Sequence, residues 1–178
     1  MSKIQFGLNN VHIAKISKGT YEVPVKVPGV VSLQLKPVQN NITVKHSRMN
    51  QLTISETVTN YTGSIEFAML PQYFLTEILG YFVDENNVKF ESARVSSSPF
   101  ALLFEINGDT ANRRYVLYNC MVTGRHTLET ETIGGKGKVM TESFDLEVRP
   151  NEDKYLKAYA DPSQAEIYNN WFDQVYTN

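Results

Sequence analysis

Apolar and polar residues alternate with a period of two through much of this chain. Val31, Leu33 and Leu35 are separated by Ser32 and Gln34, a period that puts one face of a strand in a core and the other in water. The alternation recurs in four later segments, at Ile42 and Val44, at Leu52 and Ile54, at Ile65, Phe67 and Met69, and at Phe144, Leu146 and Val148. The sequence therefore predicts a mainly β fold.

Two further strands are predicted to pair as a central hairpin. Residues 100–106 are almost continuously apolar, and residues 114–122 are strand-like again. Between them, Asn107, Gly108 and Asp109 tolerate the positive φ angles of a tight turn. Two arginines follow the turn with Asp109 upstream, which is ordinary hairpin polarity rather than a basic patch.

Two helices are predicted to interrupt the strands. Pro71 suits a first helical position and Gly80 supplies a C-terminal stop. The second helix would follow Asp161, as N-cap, and Pro162. The apolar faces are Phe74, Leu75, Ile78 and Leu79 in the first helix, and Ala165, Tyr168, Trp171, Phe172 and Val175 in the second.

The segments between these elements are read as connections. A strand near Val11 and Ile13 is followed by residues 18–29, which contain two glycines and two prolines and are predicted to form an arm or loop. Residues 128–141 are Gly-rich and charged without a clear period, which predicts a flexible loop. A length of 178 residues without an internal repeat predicts a single domain over residues 1–178.

The charge balance and the start of the chain narrow the class of function. A formal net charge of -2 disfavours a protein that grips phosphates, and it leaves little repulsion between identical copies. The first residues lack the apolar core of a signal peptide, and no stretch approaches the roughly 20 apolar residues of a membrane-spanning helix. We therefore expect synthesis in the cytoplasm and no membrane contact.

Motifs for cofactor or metal binding are missing from the sequence. A phosphate-binding loop needs Ser or Thr after Gly137 and Lys138, and Val stands there instead. The histidines His12, His46 and His126 lie far apart, and none has a partner at ligand spacing. We predict no cofactor, no metal site and no catalytic site.

Cys120 is the only cysteine, so no disulfide can form within the chain. It sits in an apolar strand, which favours a buried structural thiol over a nucleophile. A hydrolase that uses Cys120 or a pair of carboxylates would need a pocket that no motif announces.

Four segments, taken in their order along the chain, carry a family resemblance. Residues 6–16 read FGLNNVHIAKI, and residues 60–66 (NYTGSIE) lead to residues 70–80 (LPQYFLTEILG). Residues 100–119 contain the predicted hairpin, and Tyr168, Trp171 and Phe172 lie in the predicted last helix. Together they resemble the major tail protein family of siphophages, over nearly the whole chain. Residues 38–52 and 128–140 match no pattern of that family.

The resemblance implies a fold and an assembly. The fold would be a β-sandwich or incomplete barrel of the phage tail-tube type, with a flanking α-helix and a C-terminal helix. Six copies would close into a ring, and stacked rings would form the tail tube of a virion, through which double-stranded DNA passes without specific binding. The partners would be the chain itself together with tape-measure, tail-tip and tail-terminator proteins. Joined edges between copies would satisfy backbone groups that an open sheet leaves unpaired.

Three sets of candidate residues follow from that assembly. The expected lumen-facing residues are the polar strand positions Gln34, Glu56, Ser64 and Glu66. The expected contacts between rings are Lys18, Gly19 and Tyr21 of the arm and Gly134 and Gly135 of the flexible loop. Trp171 and Phe172 are equally compatible with a core and with an anchor at an interface.

One rival from another class stays open on the sequence. A sandwich module of an adhesin or tail-tip protein would bind carbohydrate or a host surface through an exposed aromatic cluster. Such a protein would remain dispersed as monomers where a tube subunit forms rings.

Overall fold

The computed structural model describes residues 6–46, 49–124 and 141–178, and the side chains of residues 7–39, 58–124 and 141–178. Within these ranges the chain is mainly β, as predicted. The strands are β1 (Phe6–Ser17), β2 (Thr20–Tyr21), β3 (Val25–Lys26), β4 (Val30–His46), β5 (Met49–Phe67), β6 (Phe82–Val83), β7 (Lys89–Phe90), β8 (Phe100–Asn107), β9 (Arg114–Val122), β10 (Glu142–Arg149) and β11 (Lys157–Ala160). The helical elements are a π-turn (Phe74–Ile78) and α1 (Ala165–Asn169).

Nine of these strands form one antiparallel sheet. Its order is β2-β1-β8-β9-β10-β5-β4, with β3 also paired to β1 and β11 to β9. Strands β6 and β7 form a separate two-stranded hairpin. Among the described strands no ladder joins β4 back to β1, so the sheet folds over its core as a sandwich rather than closing into a barrel. The predicted sandwich fold is confirmed.

Four phenylalanine rings from distant parts of the chain mark the first core. Phe74 of the π-turn lies 4.7 Å from Phe67 of β5, 5.5 Å from Phe144 of β10 and 6.0 Å from Phe100 of β8, measured between ring centroids. All four side chains are buried. Because aromatic pairs at these separations stabilise beyond their burial, the π-turn holds the two halves of the folded sheet together.

A second core lies on the other side of β8 and β9. Ala101, Leu103, Val116 and Tyr118 are buried there against Trp171. The Trp171 Nε1–H donates to the Tyr115 carbonyl at 3.2 Å. Both faces of β8 are therefore covered, which explains why residues 100–106 are apolar without alternation.

The two predicted helices exist, but each differs from its expected form. The first is a π-turn, in which the Leu79 N–H donates to the Phe74 carbonyl, and it ends at Gly80 with φ of 75° as predicted. The second has only five residues and its N-cap is Gln164, not Asp161. The Asp161 carboxylate instead accepts the Ser163 N–H at 2.9 Å, because the chain makes a turn before the helix begins.

The alternating segments around Ile42 and Ile54 belong to one long hairpin. Strands β4 and β5 pair from Val30 opposite Phe67 to His46 opposite Met49. Strand β10 pairs with β5 only as far as residue 61, so in the described chain the far part of the hairpin pairs only with itself. The predicted arm contributes β2 and β3, and most of the predicted flexible loop lies outside the described residues.

Candidate assembly surface

Strands β4, β5 and β10 present one polar face. Residues opposite each other in a ladder share a face of the sheet. The rows on this face are Ser32, Glu66 and Ser143; Gln34, Ser64 and Asp145; and Lys36, Thr62 and Glu147. Three of the predicted lumen residues, Gln34, Ser64 and Glu66, therefore lie together.

The opposite face of the same strands is apolar. Leu33, Ile65 and Phe144 form one row, and Leu146 lies opposite Gly63 in the next. A Cβ at Gly63 would lie 1.7 Å from the Gln34 carbonyl oxygen. Only glycine allows β4 to approach this closely, which gives a physical reason for the glycine after Tyr61 and Thr62.

The polar face carries charges of both signs. It includes the acids Glu66, Asp145 and Glu147 and the bases Lys36 and Arg149, so three acidic against two basic side chains leave a net charge of -1. Arg149 binds Glu147 at 2.7 Å and lowers the pKa of that carboxyl group. The face thus combines hydrogen-bonding groups with a small acidic excess. Its described part has no stripe of basic side chains to which a polyanion such as DNA would bind.

Glu66 is held in place by neighbouring hydroxyl groups. The Ser32 hydroxyl donates to one carboxylate oxygen at 2.9 Å, and the Thr141 hydroxyl donates to the other. The carboxylate therefore has a fixed position on the polar face. It would lose less conformational entropy on assembly than a mobile side chain would.

The fourth predicted lumen residue, Glu56, lies further along the hairpin. It is opposite Asn41 in the β4–β5 ladder. A register shift between Val38 and Gln39 separates it from Ser64 and Glu66. The period-two spacing that grouped these residues does not extend across such a shift, so the grouping of Glu56 with the others stays a prediction.

Among the described residues, both ends of the nine-stranded sheet have an open edge. Strand β4 pairs only with β5, and β2 and β3 pair only with β1, within the described ranges. On the β4 edge Pro37 lacks an N–H, and Lys36 is exposed. Proline and lysine on an edge restrain indiscriminate pairing, while leaving room for a specific partner.

The arm residues expected to contact another ring have two different environments. Lys18 and Gly19 form the β1–β2 turn with φ angles of 52° and 80°, and both are exposed. Tyr21 is half-buried and packs against the second core, 6.5 Å from the Tyr118 ring. Gly134 and Gly135 lie outside the described residues.

The two aromatic residues of the last segment also differ. Trp171 is buried with 2% of its surface exposed, so it is a core residue of a single copy. Phe172 is half-buried, stacks on His12 at 4.5 Å and lies 5.0 Å from the Arg114 guanidinium. Burial lowers the pKa of His12 and favours a neutral ring. Phe172 keeps some accessible surface with which it can contact a partner. Trp171 has almost none, so it can affect an interface only by supporting the residues that pack over it.

Sequence reasoning assigned Asp109 to a turn but missed its ion pair. The carboxylate is buried and accepts the Arg113 Nε–H at 2.8 Å, the Ala111 N–H at 3.1 Å and the Arg113 N–H at 3.3 Å. Arg113 also lies over the rings of Tyr115 and Tyr159, at 5.6 and 5.5 Å from their centroids. The spacing of Asp109 and Arg113, four residues apart, was the available signal.

The β6–β7 hairpin was not predicted. It consists of residues 82–91, and Phe82 and Phe90 lie opposite each other with their ring centroids 6.1 Å apart. Their exposed fractions are 64% and 48%. Neither alternation nor a Gly turn marks this segment in the sequence, and exposed aromatic pairs of this kind are characteristic of contact surfaces.

Cys120 is fully buried, and burial raises the pKa of its thiol far above its usual value, so it does not ionise at neutral pH. No cluster of three potential metal ligands occurs in the described ranges. Three clefts of about 400 to 500 Å³ in the described part of the chain are open to solvent. No helix within those ranges is long and apolar enough to cross a bilayer.

Comparisons with known proteins place the chain near no established family. No family model and no curated protein matches it. One solved structure, the anti-feeding prophage cap described as a tube terminating cap, is 8% identical, with 89% of this chain and 93% of that chain covered and a TM-score of 0.43. Another, the sheath/tube terminator of the extracellular contractile injection system PVC in its extended state, is 9% identical, with 85% and 93% covered and a TM-score of 0.38. Both TM-scores are too low to identify a function.

Proposed function

We propose that this chain is a structural subunit of a phage-type tail tube, which assembles from copies of itself and has no catalytic role. Six copies form a ring, rings stack, and the resulting tube of the virion tail conducts DNA. Tape-measure, tail-tip and tail-terminator proteins are the further partners. The carrying observation is that, within the described residues, strands β4, β5 and β10 share a polar face and their sheet has an open edge at each end.

The open edges supply the means of assembly. Among the described strands, β4 has a row of backbone groups without a ladder partner at one end of the sheet, and β2 and β3 flank the other end. Two different edges on one chain favour head-to-tail contacts, which generate rings when the rotation closes. Closure satisfies the unpaired N–H and C=O groups of both edges.

The polar face supplies the lining. Gln34, Ser64 and Glu66 share it, and its formal charge is -1. A surface that must let DNA slide needs few cationic groups, because each lysine or arginine that neutralises a phosphate adds affinity. We assign this face to the lumen of the ring, and we assign the exposed arm turn at Lys18 and Gly19 to contacts with neighbouring copies.

Electron microscopy of concentrated purified protein tests the assembly directly. We expect rings or tubes in negative stain, with a distribution that shifts towards tubes as concentration rises. Dispersed monomers at every concentration, with and without tail-tip proteins, would refute the tube subunit and favour the adhesin-like rival.

A pair of matched lysine substitutions tests the lumen assignment. Gln34 and Gln174 are both exposed, but only Gln34 lies on the polar face. Tubes of Gln34→Lys should retain double-stranded DNA in a low-salt filter assay, and the retention should fall as salt rises. Tubes of Gln174→Lys should behave as wild type. Equal retention by both variants would remove the polar face from the lumen while leaving self-assembly intact.

A further inference from the structure

The β6–β7 hairpin offers an apolar surface that the described part of the chain does not cover. Phe82, Val88 and Phe90 are each about half exposed or more. Three large apolar side chains on one ten-residue projection exceed the scattered exposure of an ordinary surface. The hairpin is therefore suited to a contact with another molecule.

The turn of the hairpin is also fixed by hydrogen bonds. The Asp84 carboxylate accepts the Asn86 N–H at 3.0 Å and the Val88 N–H at 2.7 Å. The Asn87 N–H donates to the Asp84 carbonyl at 3.0 Å, and Asn87 adopts the left-handed conformation with φ of 63°. A surface fixed before binding loses less conformational entropy when it docks.

The arm, residues 18–29, complements the hairpin in both polarity and charge. It exposes 72% of Val23 and 37% of Val25. Its two lysines and one glutamate give a net charge of +1. Residues 82–91 contain three acids and one lysine, which gives a net charge of -2. Opposite charges around the two apolar surfaces favour contact between an arm and a hairpin. They disfavour contact between two arms or between two hairpins.

The two surfaces lie at the same end of the sheet. Lys15 at the end of β1 is opposite Phe100 at the start of β8, so the β1–β2 turn and the segment before β8 meet there. At this end Tyr81, which precedes the hairpin, and Glu91, its last residue, line a cleft with Val122 of β9. In a ring whose axis runs parallel to the strands, both surfaces would therefore lie at the same height along that axis.

The two surfaces also lie beside different strands of the sheet. The arm flanks β1, whereas the cleft beside the hairpin is lined by the ends of β9 and β10. Strands β8 and β9 separate β1 from β10, a span of roughly 14 Å at the usual strand spacing. A neighbouring copy placed alongside can therefore bring its arm to the hairpin.

We propose that the β6–β7 hairpin of one copy docks against the arm of a second copy beside it in the same ring. The inference rests on the proposed self-assembly, and it gives the arm a partner within the ring rather than in the next ring. The aromatic pair packs against Val23 and Val25, and Lys18 and Lys26 face the acidic hairpin.

Cross-linking between two single-site variants tests the contact. Val88→Cys places a thiol on the hairpin and Val23→Cys places one on the arm, both at exposed positions. The native Cys120 is buried and should not react. A short bismaleimide should join the two variants into a covalent dimer when they are mixed, and neither variant should dimerise alone. Val25→Cys repeats the arm position, so that one misfolded variant does not decide the result.

The other outcomes each overturn the contact. Dimers of Val88→Cys alone would mean that hairpin meets hairpin. Dimers between Val88→Cys and Thr110→Cys, at the opposite end of the sheet, would mean that the hairpin meets the next ring. Rings in negative stain without any cross-link would refute the docking and leave the proposed function standing. An absence of both rings and cross-links would refute both.

Charge reversal separates the electrostatic part of the contact. We expect Lys18→Glu with Lys26→Glu, introduced into the Val23→Cys chain, to lower the dimer yield about fivefold at low salt. Glu85→Lys with Glu91→Lys in the Val88→Cys partner should restore it. If neither charge reversal changed the dimer yield, the two charged surfaces would be shown not to meet.

Discussion

Two hairpins of this molecule are built by the same local chemistry and end in opposite environments. In the β6–β7 hairpin Asp84 accepts backbone N–H groups two and four residues further on, and in the β8–β9 hairpin Asp109 does the same. The third residue after each aspartate, Asn87 and Asn112, is left-handed, with φ of 63° and 50°. The turn chemistry is thus sufficient to reverse the chain.

Each hairpin also carries a pair of aromatic rings opposite each other. Phe104 and Tyr115 stack at 5.4 Å, and Phe82 and Phe90 lie 6.1 Å apart. Phe104 is 7% exposed, while Phe82 is 64% exposed. The local sequence therefore specifies the hairpin, whereas the surrounding elements decide whether its aromatic face becomes core or remains free for a partner.

The largest difference should appear when the buried ring is removed. Phe104→Ala deletes a side chain that packs in the first core, and we expect a loss of about 3 to 4 kcal/mol in the free energy of unfolding. Urea denaturation followed by tryptophan fluorescence measures it. A loss under about 1 kcal/mol would mean that the β8–β9 face is no better packed than the β6–β7 face.

Acid should weaken the β8–β9 turn. The ion pair with Arg113, followed by the backbone N–H donors, lowers the pKa of Asp109 from 3.8 to about 2. A carboxyl group whose pKa is lower in the folded state stabilises the fold above its unfolded pKa and loses that contribution as pH falls. We therefore expect a loss of about 2 kcal/mol between about pH 4 and pH 2.

The variant Asp109→Asn isolates this effect from other carboxylates. It lacks the titrating group, so its unfolding free energy should change less than that of wild type over the same pH range. The difference between the two curves, measured by urea denaturation at each pH, is the quantity to compare. Parallel curves would show that Asp109 ionises normally in the fold.

The corresponding aspartate of the other turn should matter less. Asp84 accepts two backbone N–H groups but has no arginine partner among the described contacts, and the turn around it is exposed. Asp84→Ala should cost about 1 kcal/mol, measured by the same denaturation. Hydrogen exchange should quicken at Asn86 and Val88 while the β8 amides keep their protection. If hydrogen exchange at the β8 amides quickened by the same factor, the hairpin and the central sheet would be shown to unfold as one cooperative unit.

The strands could be predicted because their signal is local. Alternation at Leu33, Ile65 and Phe144 depends only on which face of a strand is buried. The structure buries Ile65 and Phe144, and the partly buried Leu33 packs against the same core. The pairing of Gln34, Ser64 and Glu66 on the other face follows from the same period. Gly80 likewise ends a helical turn through its own backbone freedom.

The remaining features depend on distant residues and could not be predicted. A register shift in the β4–β5 ladder separates Glu56 from Glu66, and a shift is set by the partner strand. The π-turn is stabilised by rings of three other elements. The exposure of Phe82 and Phe90 depends on where the other elements of the fold pack. It therefore cannot be predicted from the sequence of the hairpin itself.

The smallest effect on folding should come from the exposed ring. Phe82→Ala removes a side chain with few internal contacts, so the free energy of unfolding should change by no more than about 0.5 kcal/mol. If the hairpin is a contact surface, the same variant should nevertheless reduce assembly, raising the protein concentration at which rings first appear. Tyr159→Ala is a matched control, because Tyr159 is 56% exposed and lies on the other hairpin's side near Arg113. A Phe82→Ala protein that folds and assembles as wild type would leave the two hairpins different in burial alone, and would remove the reason to regard the exposed one as functional.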